Sequence, residues 1–424
     1  MKQLFQDAID NRKGWQITLT DWLVVLLGLG FTQGSLAVTL IVVARQVSFV
    51  EYGQYLACYG LLSLLVVLPN FGLDAWMLAG GPGILDVATS WKKAFGLRLL
   101  LLAAWLGTIF ILNVFLPAET FRFEIILPTA LGIIFDSLTL LSYTAWRVQN
   151  LHRRVSTFQI VSSVSLLTIT FLLQLKPGQI VLFSMVRAAI SVMTLVIVLI
   201  QTIQNLKPGS EILTTNRLLR ASRPFVLADV ATSIYLKADL TIASIFLGST
   251  GAGTYGPALN LTNLLFMIPN ALYFIAVPTL SKYFQHDQQS FRKFGAVQMI
   301  VQAISGIVLA LLVFEFAPVV VQIAFGSTYR ASGIAFRLMS PILFLKSLNF
   351  ALGALLTAGN YQTWRTTVQV ISALFNLIAN LIVVVPIGIT GIIFVYTFSE
   401  LLLFIGYSIP IFKWWFRKEV FNPS

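Results

Sequence analysis

Cysteine and histidine are nearly absent from this 424-residue sequence, which holds only Cys58, His152 and His286. A single cysteine excludes a disulfide bond within the chain and argues against a metal site built on thiolates. No cluster of histidine, cysteine and aspartate indicates another kind of metal centre. The sequence also lacks the Walker motif that binds nucleotide phosphates, which excludes ATP hydrolysis by this chain. We therefore expect no bound cofactor.

Charged residues make up only 10% of the chain, whereas soluble proteins carry roughly 25%. Hydrophobic residues make up 57%, and the mean hydropathy is +0.86. A globular core cannot bury so much apolar surface, so the surrounding solvent is mostly lipid. The net charge of +12 does not indicate a nucleic-acid partner, because the basic residues form short clusters between apolar runs. The polar start of the chain lacks a signal-peptide core and is interpreted as cytoplasmic.

Apolar runs separated by turn signals predict twelve membrane-spanning helices, each close to the roughly 20 residues that cross a bilayer. The fold class is therefore an all-α polytopic membrane protein. Its predicted parts are an N-terminal six-helix half (1–203), a cytoplasmic linker (204–221) and a C-terminal six-helix half (222–424). The predicted spans are 20–46, 53–79, 94–116, 125–148, 157–175, 178–202, 222–247, 253–280, 296–324, 332–358, 364–386 and 390–412.

Lysine and arginine are concentrated on one side of the predicted spans. If the N-terminus is inside, 19 of the 28 basic residues lie in inner segments and four lie in outer segments. Membrane proteins keep an excess of basic residues in their cytoplasmic loops. Both termini are therefore predicted to be cytoplasmic, because the number of spans is even.

One stretch of the sequence occurs twice, 200 residues apart. Residues 51–70, EYGQYLACYGLLSLLVVLPN, match residues 251–270, GAGTYGPALNLTNLLFMIPN, at seven positions without a gap, including Gly53 and Gly253. Six predicted spans separate the copies, so the two halves are parallel, with a substrate site expected between them and transport by rocking. The alternative is local: Gly-x-Tyr marks a tight turn entering a helix, and the paired proline kinks each helix.

Residues 44–77 and 235–284 carry a family resemblance. The first segment holds Ala-Arg, Tyr-Gly-x-Tyr, a leucine-rich helix and Phe-Gly-Leu; the second holds Lys-x-Asp, Gly-x-Tyr and a proline before Leu-Ser-Lys. In these motifs the chain resembles the polysaccharide-exporting flippases, and the motifs also admit the multidrug exporters of MATE-like fold. Many family members carry an arginine shortly after Phe-Gly-Leu, where this chain has none and Asp74 stands nearby. The motif residues are Ala44-Arg45, Tyr52-Gly53-Gln54-Tyr55, Phe71-Gly72-Leu73, Lys237, Asp239, Gly253, Tyr255, Pro278 and Leu280-Ser281-Lys282.

The resemblance implies movement of a lipid-linked oligosaccharide from the inner to the outer leaflet of the bacterial cytoplasmic membrane. The product would be a cell-surface polysaccharide, such as the O-antigen of lipopolysaccharide or an exopolysaccharide. The substrate has a polyprenyl tail, an anionic pyrophosphate and a sugar chain, so the transporter needs a basic path for the head group. Membrane lipids, a polysaccharide polymerase and chain-length proteins are the expected partners.

Five basic residues fall inside predicted spans, where charge is expensive and often marks a transport path. Arg98 and Arg187 belong to the first half, and Lys237, Arg337 and Lys346 belong to the second. The functional hypothesis is a cationic cavity between the halves, in which arginine forks and lysine point charges bind pyrophosphate. The alternative is snorkelling towards the membrane surface, above all for Arg98 and Arg337, which lie close to span ends.

Buried carboxylates are the candidates for coupling transport to a proton or sodium gradient. Asp239 and Glu400 are the preferred candidates among five acidic residues inside predicted spans. The alternative interpretation is that each acid forms a static ion pair that holds helices together.

Other classes of protein fit the sequence less well. A membrane enzyme needs sizeable outer loops for its catalytic residues, and the predicted outer loops, such as LPAETFRFE and FGSTYRAS, are short. A channel needs a repeated selectivity motif or a ring of charges, and the sequence shows neither. An ion-coupled multidrug exporter stays open as the alternative, because five buried bases and five buried acids favour neither kind of substrate.

Overall fold

The computed structural model describes residue 28 and residues 30–79, 87–149, 151–206 and 214–417. All regular structure in these ranges is helical. The helices are α1 (30–46), α2 (Phe49–Leu65), α3 (Val67–Asn70), α4 (Leu73–Leu78), α5 (Val87–Asn113), α6 (Phe123–Val148), α7 (His152–Leu173), α8 (Ile180–Asn205), α9 (Thr215–Leu265), α10 (Met267–His286), α11 (Gln288–Phe325), α12 (Arg330–Leu338), α13 (Ser340–Ala358), α14 (Gln362–Ile387) and α15 (Ile389–Arg417), with a 3-10 turn at Ser327–Tyr329.

Ten helical segments in the described ranges are long and apolar enough to cross a membrane. One of them, Phe225–His286, has 62 residues, far more than the roughly 20 that a bilayer requires. It is broken at Gly248, where φ is +66° and ψ is −160°, a conformation that only glycine adopts readily. With this division and α1, twelve spans are accounted for, although the first part of the predicted span 20–46 lies outside the described residues. The prediction of an all-α polytopic membrane protein is confirmed.

Two predicted boundaries differ from the structure. The predicted tenth span, 332–358, is two helices, α12 and α13, separated at Met339. Pro341 lies at the start of α13, where proline is favoured because its missing N–H is not needed. Helix α9 begins at Thr215, so part of the predicted linker 204–221 is helical. One consequence for the site is that two candidate cations of the tenth predicted span lie on different helices.

The two copies of the repeat contain the same break. Helix α2 is separated from α3 at Val66, and α9 is separated from α10 at Phe266, 200 residues later. The backbone angles agree closely, with φ −64° and ψ −14° at Val66 and φ −61° and ψ −14° at Phe266. Each break lies three residues before a proline, Pro69 or Pro269, whose missing N–H leaves a carbonyl of the preceding turn unbonded. The kinks predicted from the paired prolines are confirmed.

The repeated glycines lie where the two halves touch. A Cβ atom on Gly53 would be 2.0 Å from the backbone oxygen of Ser249, and one on Gly253 would be 3.0 Å from the ring of Phe49. Both glycines lie inside helices, so they permit close approach and do not form the tight turn of the local interpretation. We call Phe49, Gly53, Ser249 and Gly253 the repeat seam. Its contacts are equivalent in pairs, because Phe49 and Ser249 are also 200 residues apart.

Polar and aromatic contacts fasten the halves around the repeat seam. The Tyr329 hydroxyl donates to the backbone oxygen of Ala44 at 3.2 Å, and its ring meets the ring of Tyr52 edge-on, with centroids 5.9 Å apart. Arg45 donates to the backbone oxygen of Ala324 at 2.7 Å, near the end of α11, where a cation also interacts favourably with the helix dipole. The two halves are therefore joined at the end of the bundle that carries Arg45.

Candidate functional site

Helix α2 carries Tyr55 and Tyr59 on one face, because residues four apart in a helix lie above one another. Their rings are stacked, with centroids 6.1 Å apart. Arg187 on α8 donates to the Tyr55 hydroxyl at 2.7 Å, and its guanidinium carbon is 4.3 Å from the centre of the Tyr59 ring. We call Tyr55 and Tyr59 the tyrosine face. It holds the cation of the first half by a hydrogen bond and a cation–π contact.

Lys237 of α9 approaches the tyrosine face from the second half. Its ammonium donates to the backbone oxygen of Ser63 at 2.8 Å and is close enough to Tyr59 to interact with it electrostatically. Ser63 lies three residues before the break at Val66, where the helix is interrupted. Lys237 forms no ion pair with any residue that the structure describes. Arg187 and Lys237 thus share one environment, although they belong to different halves.

Arg98 occupies a closed site within the first half. Its side chain is 0% exposed and donates to the carboxylate of Asp74 at 2.6 Å. It also donates to the backbone oxygens of Asn70 and Ser137, each at 3.0 Å. These partners lie on α3, α4 and α6, so Arg98 joins three helices to α5 and does not snorkel. The charge that the sequence lacks beside Asp74 is supplied by this neighbouring helix.

Arg337 of α12 bonds to a helix backbone. Its guanidinium donates to the carbonyl oxygen of Phe314 at 2.5 Å and lies 5.0 Å from the centre of that ring. Pro318, four residues later in α11, has no N–H to give to the Phe314 carbonyl. A free carbonyl inside a membrane is costly, and another group must satisfy it. This contact gives Arg337 a structural role and places it apart from the tyrosine face.

Lys346 and Glu400 form a buried ion pair between α13 and α15. The Lys346 ammonium donates to Glu400 Oε1 at 2.7 Å, and the Glu400 side chain is 0% exposed. Lys346 also donates to the Tyr235 hydroxyl at 2.8 Å, and that hydroxyl donates to Glu400. Asn349 donates to Glu400 Oε2 at 2.7 Å. Both carboxylate oxygens are therefore occupied, as the static ion-pair interpretation requires.

Asp239 is buried without a counter-ion. Its side chain lies in a residue only 3% exposed and accepts hydrogen bonds from Tyr255 at 3.1 Å and from the Asn380 amide at 2.7 Å. Within the described ranges it forms no ion pair. The amide nitrogen of Asn376 and the amide oxygen of Asn380 have no hydrogen-bond partner. This set of carboxylate, amide and hydroxyl oxygens is one that a proton or a hard cation can join.

Tyr59, Tyr235 and the Arg98–Asp74 pair were not foreseen from the sequence. Tyr59 carries a signal, since two tyrosines four residues apart are unusual in an otherwise aliphatic span. Tyr235 carries none, because its partner Glu400 is 165 residues away. Asp74 was noticed only as a departure from a family pattern, and nothing in the sequence pairs it with Arg98.

Comparison with known proteins identifies relatives of two kinds. Among curated proteins, the probable low-salt glycan biosynthesis flippase Agl15 of Haloferax volcanii is 23% identical over 175 residues. The match covers 41% of this chain and spans 37% of that protein's length.

Among solved structures, the lipid II flippase MurJ in an inward closed conformation has a TM-score of 0.70 at 15% identity, covering 92% of this chain and 87% of its own. An inward-facing multidrug resistance MATE family transporter has a TM-score of 0.67 at 13% identity, covering 92% and 98%. At this identity the likeness concerns the fold alone. The family model described as polysaccharide biosynthesis protein matches residues 18–284, more than half of the sequence, and the chain therefore belongs to that family.

Proposed function

We propose that the protein is a flippase that moves a polyprenyl-pyrophosphate-linked oligosaccharide from the inner to the outer leaflet of the bacterial cytoplasmic membrane. It would act by alternating access, with both termini cytoplasmic, and would supply a polymerase and chain-length proteins that build an O-antigen or exopolysaccharide. The observation that carries the proposal is the meeting of Arg187 and Lys237, one cation from each half, at the tyrosine face.

The chemistry of these two cations suits a pyrophosphate group. Arg187 offers a planar fork and Lys237 a compact point charge. Arg187 has one acidic contact, at 3.4 Å to Asp136, which is longer than a strong charged hydrogen bond. Because the cations come from different halves, an anion bound between them would feel any rocking of one half against the other. The membrane family and the flippase relative support this assignment over an enzyme.

The site predicts a distinct pattern of binding for a probe with a pyrophosphate head. Purified full-length protein in nanodiscs is titrated with farnesyl pyrophosphate. Arg187→Ala and Lys237→Ala are each expected to weaken binding by about 10- to 100-fold, since a hydrogen bond to a charged group is worth about 1.5–3 kcal/mol. Arg337→Ala is the control, because Arg337 binds a carbonyl elsewhere. Equal affinity in all three variants would contradict the proposal.

We propose Asp239 as the residue that couples transport to a proton or sodium gradient. A carboxylate without a counter-ion in lipid changes its interactions most on binding a proton or sodium, whereas Glu400 is already held by Lys346. Asp239→Asn is expected to retain farnesyl pyrophosphate binding and to make flipping in proteoliposomes insensitive to both gradients. Glu124→Gln, which alters an exposed acid, is expected to respond normally. Gradient-dependent flipping by Asp239→Asn would rule out this role.

An ion-coupled multidrug exporter is the second candidate function. The likeness to a MATE transporter and the unpaired carboxylate of Asp239 favour it, since a buried acid attracts cationic substrates. Deletion of the gene separates the candidates. A flippase is expected to leave cells without their surface polysaccharide, with drug resistance unchanged. Normal polysaccharide with lost resistance would support the exporter.

A further inference from the structure

A cavity of about 290 Å³ lies inside the first half, between α1, α6, α7 and α8. Ligand sites in proteins run from about 300 to 1,000 Å³, so this volume suits a single ring and is too small for an oligosaccharide. Seven of the fourteen lining residues carry hydroxyl groups, and Gln159 adds an amide. We call this space the hydroxyl cavity. Its lining calls for a polar occupant, because buried polar groups without partners are costly in a membrane.

The hydroxyl cavity contains one acid and one base, which balance each other. Asp136 and Arg187 both line it, with 3.4 Å between their nearest charged atoms. The Asp136 side chain is 49% exposed, and an ionised carboxylate facing hydrocarbon is expensive. The space beside Asp136 is therefore wet or filled by a polar group. A net charge of zero favours a neutral ligand over a cationic drug or a free phosphate.

The threonines of the hydroxyl cavity are arranged as acceptors. Thr139 donates to the backbone oxygen of Phe135 at 2.8 Å, and Thr194 donates to that of Ile190 at 2.8 Å. A hydroxyl has one proton, so a threonine that donates to its own helix offers only lone pairs to a ligand. The hydroxyl groups of a sugar have protons to give. The lining therefore complements a sugar ring in the direction of its hydrogen bonds as well as in charge.

We infer that the hydroxyl cavity binds one sugar ring of the transported lipid-linked glycan, an inference that rests on the proposed function. Arg187 belongs to both places: it lines the cavity and it binds the tyrosine face. A pyrophosphate at Arg187 and a sugar in the cavity would therefore occupy adjoining sites. The described lining comes from first-half helices alone, so the sugar site would move with that half as a unit and would select among glycans.

The test uses full-length protein in nanodiscs and two kinds of probe. Methyl glycosides of glucose, galactose, mannose and N-acetylglucosamine are examined by saturation-transfer NMR, and farnesyl pyrophosphate is titrated separately. The variant Thr139→Val/Thr194→Val keeps side-chain size and removes two hydroxyls; Thr194→Val alone is measured in parallel. The matched control is Thr202→Val, because Thr202 lies on the same helix and makes the same bond to its own backbone, to Val198 at 2.7 Å, outside the cavity.

At least one glycoside is expected to bind the unmodified protein and to bind the double variant roughly tenfold more weakly, as the loss of two hydrogen bonds implies. Thr202→Val should bind it normally, and farnesyl pyrophosphate should bind all variants alike. If no glycoside binds, or if the double variant binds as well as the control, the sugar site is overturned while the proposed function stands. If the unmodified protein fails to bind farnesyl pyrophosphate, the proposed function is contradicted instead.

Discussion

Replacement of Glu400 by glutamine is expected to lower the free energy of unfolding by about 3–5 kcal/mol, the usual cost of removing one partner from a buried ion pair. The loss arises because the Lys346 ammonium, 2.7 Å from Glu400, is left buried without a counter-charge. Desolvation prevents water from replacing the carboxylate. The measurement is a titration of the protein in mixed micelles with sodium dodecyl sulfate, followed by tryptophan fluorescence.

Two further variants test whether the charge itself is responsible. Adding Lys346→Met to Glu400→Gln removes the unpaired cation, so the double variant is expected to recover most of the lost stability. This non-additivity is what a double-mutant cycle reports for groups in direct contact. Glu124→Gln is the control, because Glu124 pairs with Arg122 at an exposed site, where such pairs are worth about 0–1 kcal/mol. A Glu400→Gln protein no less stable than Glu124→Gln would contradict the assignment.

Replacement of Gly53 by alanine is expected to force the repeat seam apart. Its Cβ would lie 2.0 Å from the backbone oxygen of Ser249, and a backbone atom of a helix cannot move aside without moving the helix. Overpacking of this kind costs about 1–3 kcal/mol. The reporter is Cys58, the only cysteine, which is buried on the same helix. Its rate of modification by N-ethylmaleimide is expected to rise about tenfold or more, since a 1.4 kcal/mol shift is a factor of ten.

The other glycines provide a graded comparison for this experiment. In Gly253→Ala the nearest atom is the ring tip of Phe49 at 3.0 Å, and a side chain can yield, so the rise in rate is expected to be smaller. Gly34→Ala meets nothing within 4 Å, and alanine favours a helix over glycine, so its rate should not rise. The order Gly53, Gly253, Gly34 is the prediction, and equal rates would show that the seam does not depend on close approach.

Much of the architecture was open to prediction from the sequence. Hydropathy sufficed for the class of fold, because every span must satisfy its backbone hydrogen bonds internally and so must be a helix. The duplicated stretch identified equivalent parts of two halves, and Pro69 and Pro269 predicted both kinks. These features are local, or depend on a pattern of known period, so they need no knowledge of how helices pack.

The candidate site was less predictable because its contacts join distant parts of the chain. The sequence offered five cations of similar standing, and their partners separate them. Arg98 meets Asp74, Arg337 meets a carbonyl freed by Pro318, and Lys346 meets Glu400. Arg187 and Lys237 are the two with the least acidic company. No spacing rule gives this division, since it depends on which helices are neighbours and on how each is rotated.

The repeat seam also has the form of an interface between identical subunits. In a two-fold symmetric dimer, residue i of one copy contacts residue j of the other, and j contacts i in return. Here Gly53 meets Ser249 while Gly253 meets Phe49, which is that reciprocal relation with an offset of 200 residues. The contact is isologous within a single chain. One chain therefore keeps the self-complementary junction of a homodimer, while joining the halves covalently has let their interiors diverge: Tyr55 binds Arg187, and its counterpart Tyr255 binds Asp239.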